Sequence, residues 1–232
     1  MNETIYQAAS LIIPLVIAIV FHEVAHGWTA RALGDPTAAQ LNRLSLNPFR
    51  HVDPIGTVVL PGFLALIKAP VFGWAKPVPV IKERLRNPRT GMMLVAAAGP
   101  GSNLAQALVG AVLLGLLLNF SPQAAQLDQI GVPGFVALNL FNYITINIFL
   151  ALFNLIPVPP FDGSHIVEGF LPPKAAATYE KLRPIGFPLM LVLLVALPSV
   201  SPNLDIVAKF VVPPVRWVTD IYLSIAMAVA GR

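Results

Sequence analysis

The sequence predicts an all-α polytopic membrane protein, with about five to six transmembrane helices and a re-entrant or hairpin segment after the first core helix. Three observations carry that expectation. Of 232 residues, 56% are hydrophobic and only 11% are charged, with a mean hydropathy of +0.74; soluble domains run at about 25% charged. Four apolar stretches reach the ~20 residues a bilayer demands, at roughly 6–33, 91–119, 135–156 and 205–228. The basic residues are also lopsided: nine of the 15 Lys and Arg fall between Arg31 and Arg89, and none between Thr90 and Pro173. This leaves room for one membrane-embedded domain, residues 1–232, with a core over about 6–170 and C-terminal membrane helices over about 185–228.

The first stretch carries no charge from Ala8 to Phe21. Met1 to Thr4 lacks the basic start of a signal peptide, so this segment is expected to be retained. Ile55 to Val71 is apolar but broken by Pro61-Gly62 and by Lys68, which reads as a re-entrant or interfacial hairpin and not as a span. Trp74 to Val80 is expected to be extended, because Pro77 and Pro79 push their predecessors out of the helical region. The stretch 135–156 must end at Pro157, Pro159 and Pro160. A further stretch, about 185–200, is marginal and begins among Pro184, Gly186 and Pro188, while Lys209 and Arg216 make 205–228 partly interfacial or packed on protein.

Cationic loops stay in the cytoplasm. The N-terminus is therefore expected outside, residues 34–90 and 157–184 inside, and 120–134 outside. The net charge of +4 is a topology signal and gives no reason to expect nucleic-acid binding. Cysteine is absent, which removes disulfides and thiolate metal ligands.

The chemistry is concentrated in His22-Glu23-Val24-Ala25-His26, at the end of the first apolar stretch. Histidines four apart stand one turn above each other on a helix. Both imidazoles can then bind one zinc ion, and the neighbouring glutamate can take a proton from a water on it. Ionisable groups at membrane depth are costly and mark function. At 1.5 Å per residue His22 lies roughly 25 Å along the helix from Ile5, in the cytoplasmic half of the bilayer.

Catalytic zinc takes a third protein ligand. The candidates are His51, Asp53, Asp162, His165 and Glu168. Asp162 has the best context, on the proline-broken run Asn154 to Gly163, where irregular backbone is tolerated if it lines a watery cavity. The alternatives are that Asp162 caps a short helix, or that His165 replaces or supplements it. His51 and Asp53 more readily shape an interfacial loop. In Ala98-Gly99-Pro100-Gly101-Ser102-Asn103 the glycines allow close backbone approach, and Asn103 can face a developing oxyanion. The competing reading is a small-residue packing patch.

These motifs, in this order and membrane context, resemble the site-2 proteases, intramembrane zinc metalloproteases that cut transmembrane substrates in regulated proteolysis. The resemblance covers about residues 15–170. It implies one Zn2+ per chain held by His22, His26 and Asp162, with Glu23 as general base and Asn103 stabilising the tetrahedral intermediate. It also implies a membrane-inserted strand or β-hairpin over 55–80, transmembrane protein substrates, and a minimal prokaryotic-type member without PDZ or CBS domains. Two other classes compete. A zinc carrier would want ligands strung through the bilayer, whereas all four histidines here fall towards one side. A catalytically inert scaffold would have no use for Glu23.

Overall fold

The computed structural model describes residues 3–66, 73–125 and 131–232. Among these there is no β-strand. The helices are α1 (Glu3–Ala32), α2 (Thr37–Gln40), α3 (Leu60–Leu66), α4 (Pro88–Phe120) and α5 (Val132–Asn154), then α6 (Asp162–Phe170), α7 (Pro173–Glu180), α8 (Arg183–Leu191), α9 (Leu197–Val200) and α10 (Val212–Val229). The all-α expectation holds.

Among the described residues, four helical stretches are long and apolar enough to cross a membrane: Ile5–Ala32, Pro88–Phe120, Val132–Asn154 and Arg183–Val200. Three match the expected stretches. The fourth is the one that looked marginal: α8 and α9 run together through a π-helical turn at Val192–Ala196. Pro184 falls at the helix start, where its missing N–H costs nothing. Arg216 and Asp220 interrupt α10, which packs on protein through Val215, Thr219 and Ala226.

α1 and α4 run antiparallel: Ala18 lies beside Asn103, and His26 beside Val95. α5 runs antiparallel to α4, with Asn147 against Asn103 and Tyr143 against Gln106. The shared core of α4, α5 and α10 holds Ala107, Ala111, Leu114, Ile144, Ile148 and Val215. Small residues on α4 let the helices approach closely, as expected where no water drives association. Leu11, Ile12, Val109 and Leu113 are exposed large apolar side chains, which suits a lipid solvent.

Residues 54–66 are helical, a π-turn at Pro54–Val59 leading into α3, where a re-entrant or β-hairpin segment was expected. Residues 67–72, where that segment would turn back, lie outside the described residues. The run 73–81 carries no helix. Its N–H groups at Trp74, Lys76 and Val78 donate to Gly56 O (3.1 Å), His51 O (2.8 Å) and Glu23 Oε2 (2.8 Å). That two-residue spacing is the signature of an extended chain presenting one edge. Arg43 Nη2 fastens the same run at Lys76 O (2.7 Å).

Candidate metal centre

His22 and His26 meet edge to face along the inner face of α1, with ring centroids 4.6 Å apart and planes at 88°. α4 passes across them at Gly99. A Cβ there would stand 2.5 Å from His26 Nε2 and 2.6 Å from His22 Cε1, so only glycine allows this crossing.

Asp162 arrives from the other side, as the first residue of α6. The prolines end α5 and the connecting loop is pinned at several points. Phe161 N–H donates to Val158 O (3.0 Å), Tyr179 Oη–H donates to Pro157 O (2.6 Å), and the Phe161 ring meets Phe153 at 4.6 Å. Gly163 allows α6 to begin against the Leu155 and Ile156 carbonyls. The cap position belongs to Phe161 and has no side-chain cap, so Asp162 is not a helix cap. Its carboxylate turns inward, with Oδ2 3.3 Å from His22 Nε2 and 3.4 Å from His26 Nε2.

The two Nε2 atoms are themselves 3.0 Å apart. His26 Nδ1 lies 2.7 Å from Val95 O, which can only accept, so the proton sits on Nδ1 and the Nε2 lone pair faces the site. His22 Nδ1 lies 2.6 Å from Asn103 Oδ1 and carries its proton in the same way. With neutral imidazoles, both Nε2 lone pairs thus converge on Asp162 Oδ2, which is buried with no hydrogen-bond partner. Unprotonated, such a cluster is repulsive without a cation. Its edges of 3.0, 3.3 and 3.4 Å suit a tetrahedral ion, whose ligands at about 2.0–2.1 Å stand ~3.3 Å apart. The residues present fit zinc.

Glu23 follows His22 and turns towards the extended run, where Val78 N–H holds Oε2. Asn103 bonds to the far side of the His22 ring. It is completely buried behind His22, and its amide hydrogens go to Ala18 O (3.3 Å) and Asn147 Oδ1 (2.8 Å). It has no hydrogen left for an oxyanion.

The other candidates lie elsewhere. His51 Nε2–H donates to Ser45 O (2.7 Å), and Asp53 Oδ1 accepts from the N–H groups of Ile55 and Gly56, so both shape the loop after α2. His165 faces Arg183, and Glu168 pairs with Lys82 (2.7 Å) and Arg183. Sequence reasoning missed Asn147 and the Val78 N–H, because neither belongs to a local pattern. It also missed Asp35, completely buried after α1, whose carboxylate ties Thr37 N (3.0 Å) to Ile81 N (2.6 Å). Burial alone would raise the Asp35 pKa, but the Thr37 and Ile81 hydrogen bonds hold it below the usual range.

Helices fit for a bilayer around a buried cluster of two histidines and one carboxylate define a membrane metalloprotease. Comparison with known proteins agrees. Residues 10–197 match the model of peptidase family M50. "Putative zinc metalloprotease YwhC" of Bacillus subtilis is 38% identical over 199 residues, covering 84% of this chain and 86% of that one. "Putative zinc metalloprotease MJ0611" of Methanocaldococcus jannaschii is 32% identical, covering 64% of each. "Putative zinc metalloprotease Rip2" of Mycolicibacterium smegmatis is 26% identical over 78% of this chain and 64% of its own length. No solved structure matches the chain. The chain belongs to peptidase family M50 and is a zinc metalloprotease of the site-2 type.

Proposed function

We propose that this protease hydrolyses peptide bonds within or beside the transmembrane segments of other membrane proteins, in regulated intramembrane proteolysis. One zinc per chain is held by His22, His26 and Asp162. The observation that carries the reading is the triangle of three metal-ligating atoms, closed by edges of 3.0 to 3.4 Å among apolar helices. Bound there, zinc supplies Lewis acidity and brings the pKa of a water towards ~7.

The chain's own groups do the rest. Glu23, steadied through one oxygen by Val78 N–H, takes a proton from the attacking water and returns it to the leaving amine. Asn103 orients His22. Residues 1–232 act as one domain, since α10 shares its core with α4 and α5. Its N-terminus lies outside and the active site opens towards the cytoplasm. A zinc carrier is disfavoured, because the described residues offer one metal cluster and no ladder of ligands.

Glu23→Gln tests the reading. It keeps size and the contact with Val78 while removing basicity. Proteolysis of a transmembrane substrate should fall by about 10²–10⁴-fold, with zinc content and fold unchanged. Wild-type cleavage by this variant would remove Glu23 from the chemistry.

A further inference from the structure

We infer that Asn147, on α5 and outside the zinc cluster, is a positioning residue that fixes the tautomer of His22. This rests on the reading of His22 as a zinc ligand. Tyr143 O lies 2.8 Å from the Asn147 side-chain amide and can only accept, so Asn147 Nδ2 must face it. Asn147 Oδ1 then points at Asn103, whose Nδ2 lies 2.8 Å away. The second hydrogen of Asn103 meets another pure acceptor, Ala18 O. That leaves Asn103 Oδ1 for His22 Nδ1, at 2.6 Å.

Each orientation forces the next. A carbonyl oxygen facing Nδ1 demands the Nδ1–H tautomer, and only that tautomer leaves the Nε2 lone pair free for a metal. Both asparagines are completely buried, so no water can stand in for a missing partner. Without an acceptor at position 147, Asn103 loses one of the two contacts that stop its amide from flipping. A flipped amide would present Nδ2 to His22 Nδ1, drive the proton to Nε2 and block the metal. His26 has no such dependence, because its partner Val95 O cannot flip.

The test measures zinc affinity of the purified full chain by competition with a chromophoric chelator, using zinc alone as the probe. Asn147→Leu should weaken zinc binding by about 10-fold or more, within the range for outer partners of metal ligands. Asn147→Asp still offers an oxygen to Asn103 and, protonated, a hydrogen to Tyr143 O, so it should bind zinc within about threefold of wild type on that scale. In Asn103→Asp/Asn147→Leu the carboxylate accepts from His22 by either oxygen, and affinity should recover. If Asn147→Leu does not fold, Asn147→Thr gives the same readout, its hydroxyl turned back onto Tyr143 O and too short to reach Asn103. Unchanged affinity in the Leu or Thr variant would overturn the inference. So would a loss that neither Asn147→Asp nor the double variant recovers, since that is the mark of packing alone. His22→Ala keeps the two readings apart: if it binds zinc like wild type, the ligand assignment fails, whereas if it alone loses zinc, only the role of Asn147 fails.

Discussion

At position 99 one methyl group would reach both imidazoles, 2.5 Å from His26 Nε2 and 2.6 Å from His22 Cε1. Gly101, two residues on, has nothing within 4 Å of where a Cβ would lie. The pair makes an internal control. Gly99→Ala should retain much less zinc than wild type after dialysis against a chelator and lose proteolysis in proportion. Gly101→Ala should keep both and gain up to ~1 kcal/mol from helix propensity. Equal zinc retention in the two would mean that α4 does not hold the imidazoles in place. The same residues show what could be read in advance. His22 and His26 were legible because a helix turns a spacing of four into a shared face. Asp162 was legible because three prolines in four residues leave few reasons to place a carboxylate there. Asn147 and Val78 were not, since each acts through a partner 44 or more residues away and nothing local distinguishes them. Asn103 was found as a residue, but its contacts with His22 and Asn147 could not be read in advance. Its role depends on which way a buried amide faces, and only the helix crossing decides that.

α6 carries Asp162 at its first residue and Glu168 about 9 Å further along. Glu168 is buried, bonded to Lys82 at 2.7 Å on one oxygen and to Arg183 on the other. The helix is thereby fastened to the end of the extended run and to the start of α8. Burial alone would raise the Glu168 pKa, but Lys82 and Arg183 hold it below the usual carboxylate range. Glu168→Gln should lower stability by about 1–3 kcal/mol and speed zinc release, as read by thermal unfolding and chelator kinetics. His165 shares this cluster. Burial and the Arg183 charge push its pKa down to about 4, against smaller opposing effects from Glu168 and Asp162, with Lys82 adding to Arg183. The unfolded chain takes a proton near pH 6.5 that the folded chain refuses until about 4. His165 thus withdraws stability as pH falls through that window, by ~3 kcal/mol at most. In His165→Gln the midpoint of thermal unfolding should fall less between pH 6.5 and 4 than in wild type; parallel curves would show that His165 titrates normally. Elements were less legible than the metal site. Pro184 and Pro188 made 183–200 look weak; Pro184 falls in the first turn, where a helix tolerates proline, whereas Pro188 lies inside the helix. Helical 54–66 carries the same apolar residues that suggested a hairpin, because short apolar runs do not distinguish the two.

Across the whole molecule, the site-bearing elements share one end. His22 is ten residues before the end of α1 at Ala32, and Gly99 is eleven residues into α4 from Pro88, each about 15–16 Å from that end. Asp162 follows the end of α5, which lies at the same side because α5 runs antiparallel to α4. Arg31, Arg86 and Arg89 flank the same helix ends, and Lys82 and Arg183 are tied to α6. Set in a hydrocarbon core of ~30 Å, that distance would place the cluster near mid-depth, and we propose that it opens to the cationic side. On the positive-inside rule we propose that this side is cytoplasmic. Gln40 and Gln123 are both exposed and fall on the connections at opposite ends of α4. With no native cysteine, single substitutions Gln40→Cys and Gln123→Cys give clean reporters. In sealed, right-side-out vesicles an impermeant maleimide should modify Gln123→Cys at once and Gln40→Cys only after permeabilisation. Labelling of both from outside would contradict the single crossing of α4. The reverse order would require substrates to reach the metal cluster from the other side of the membrane.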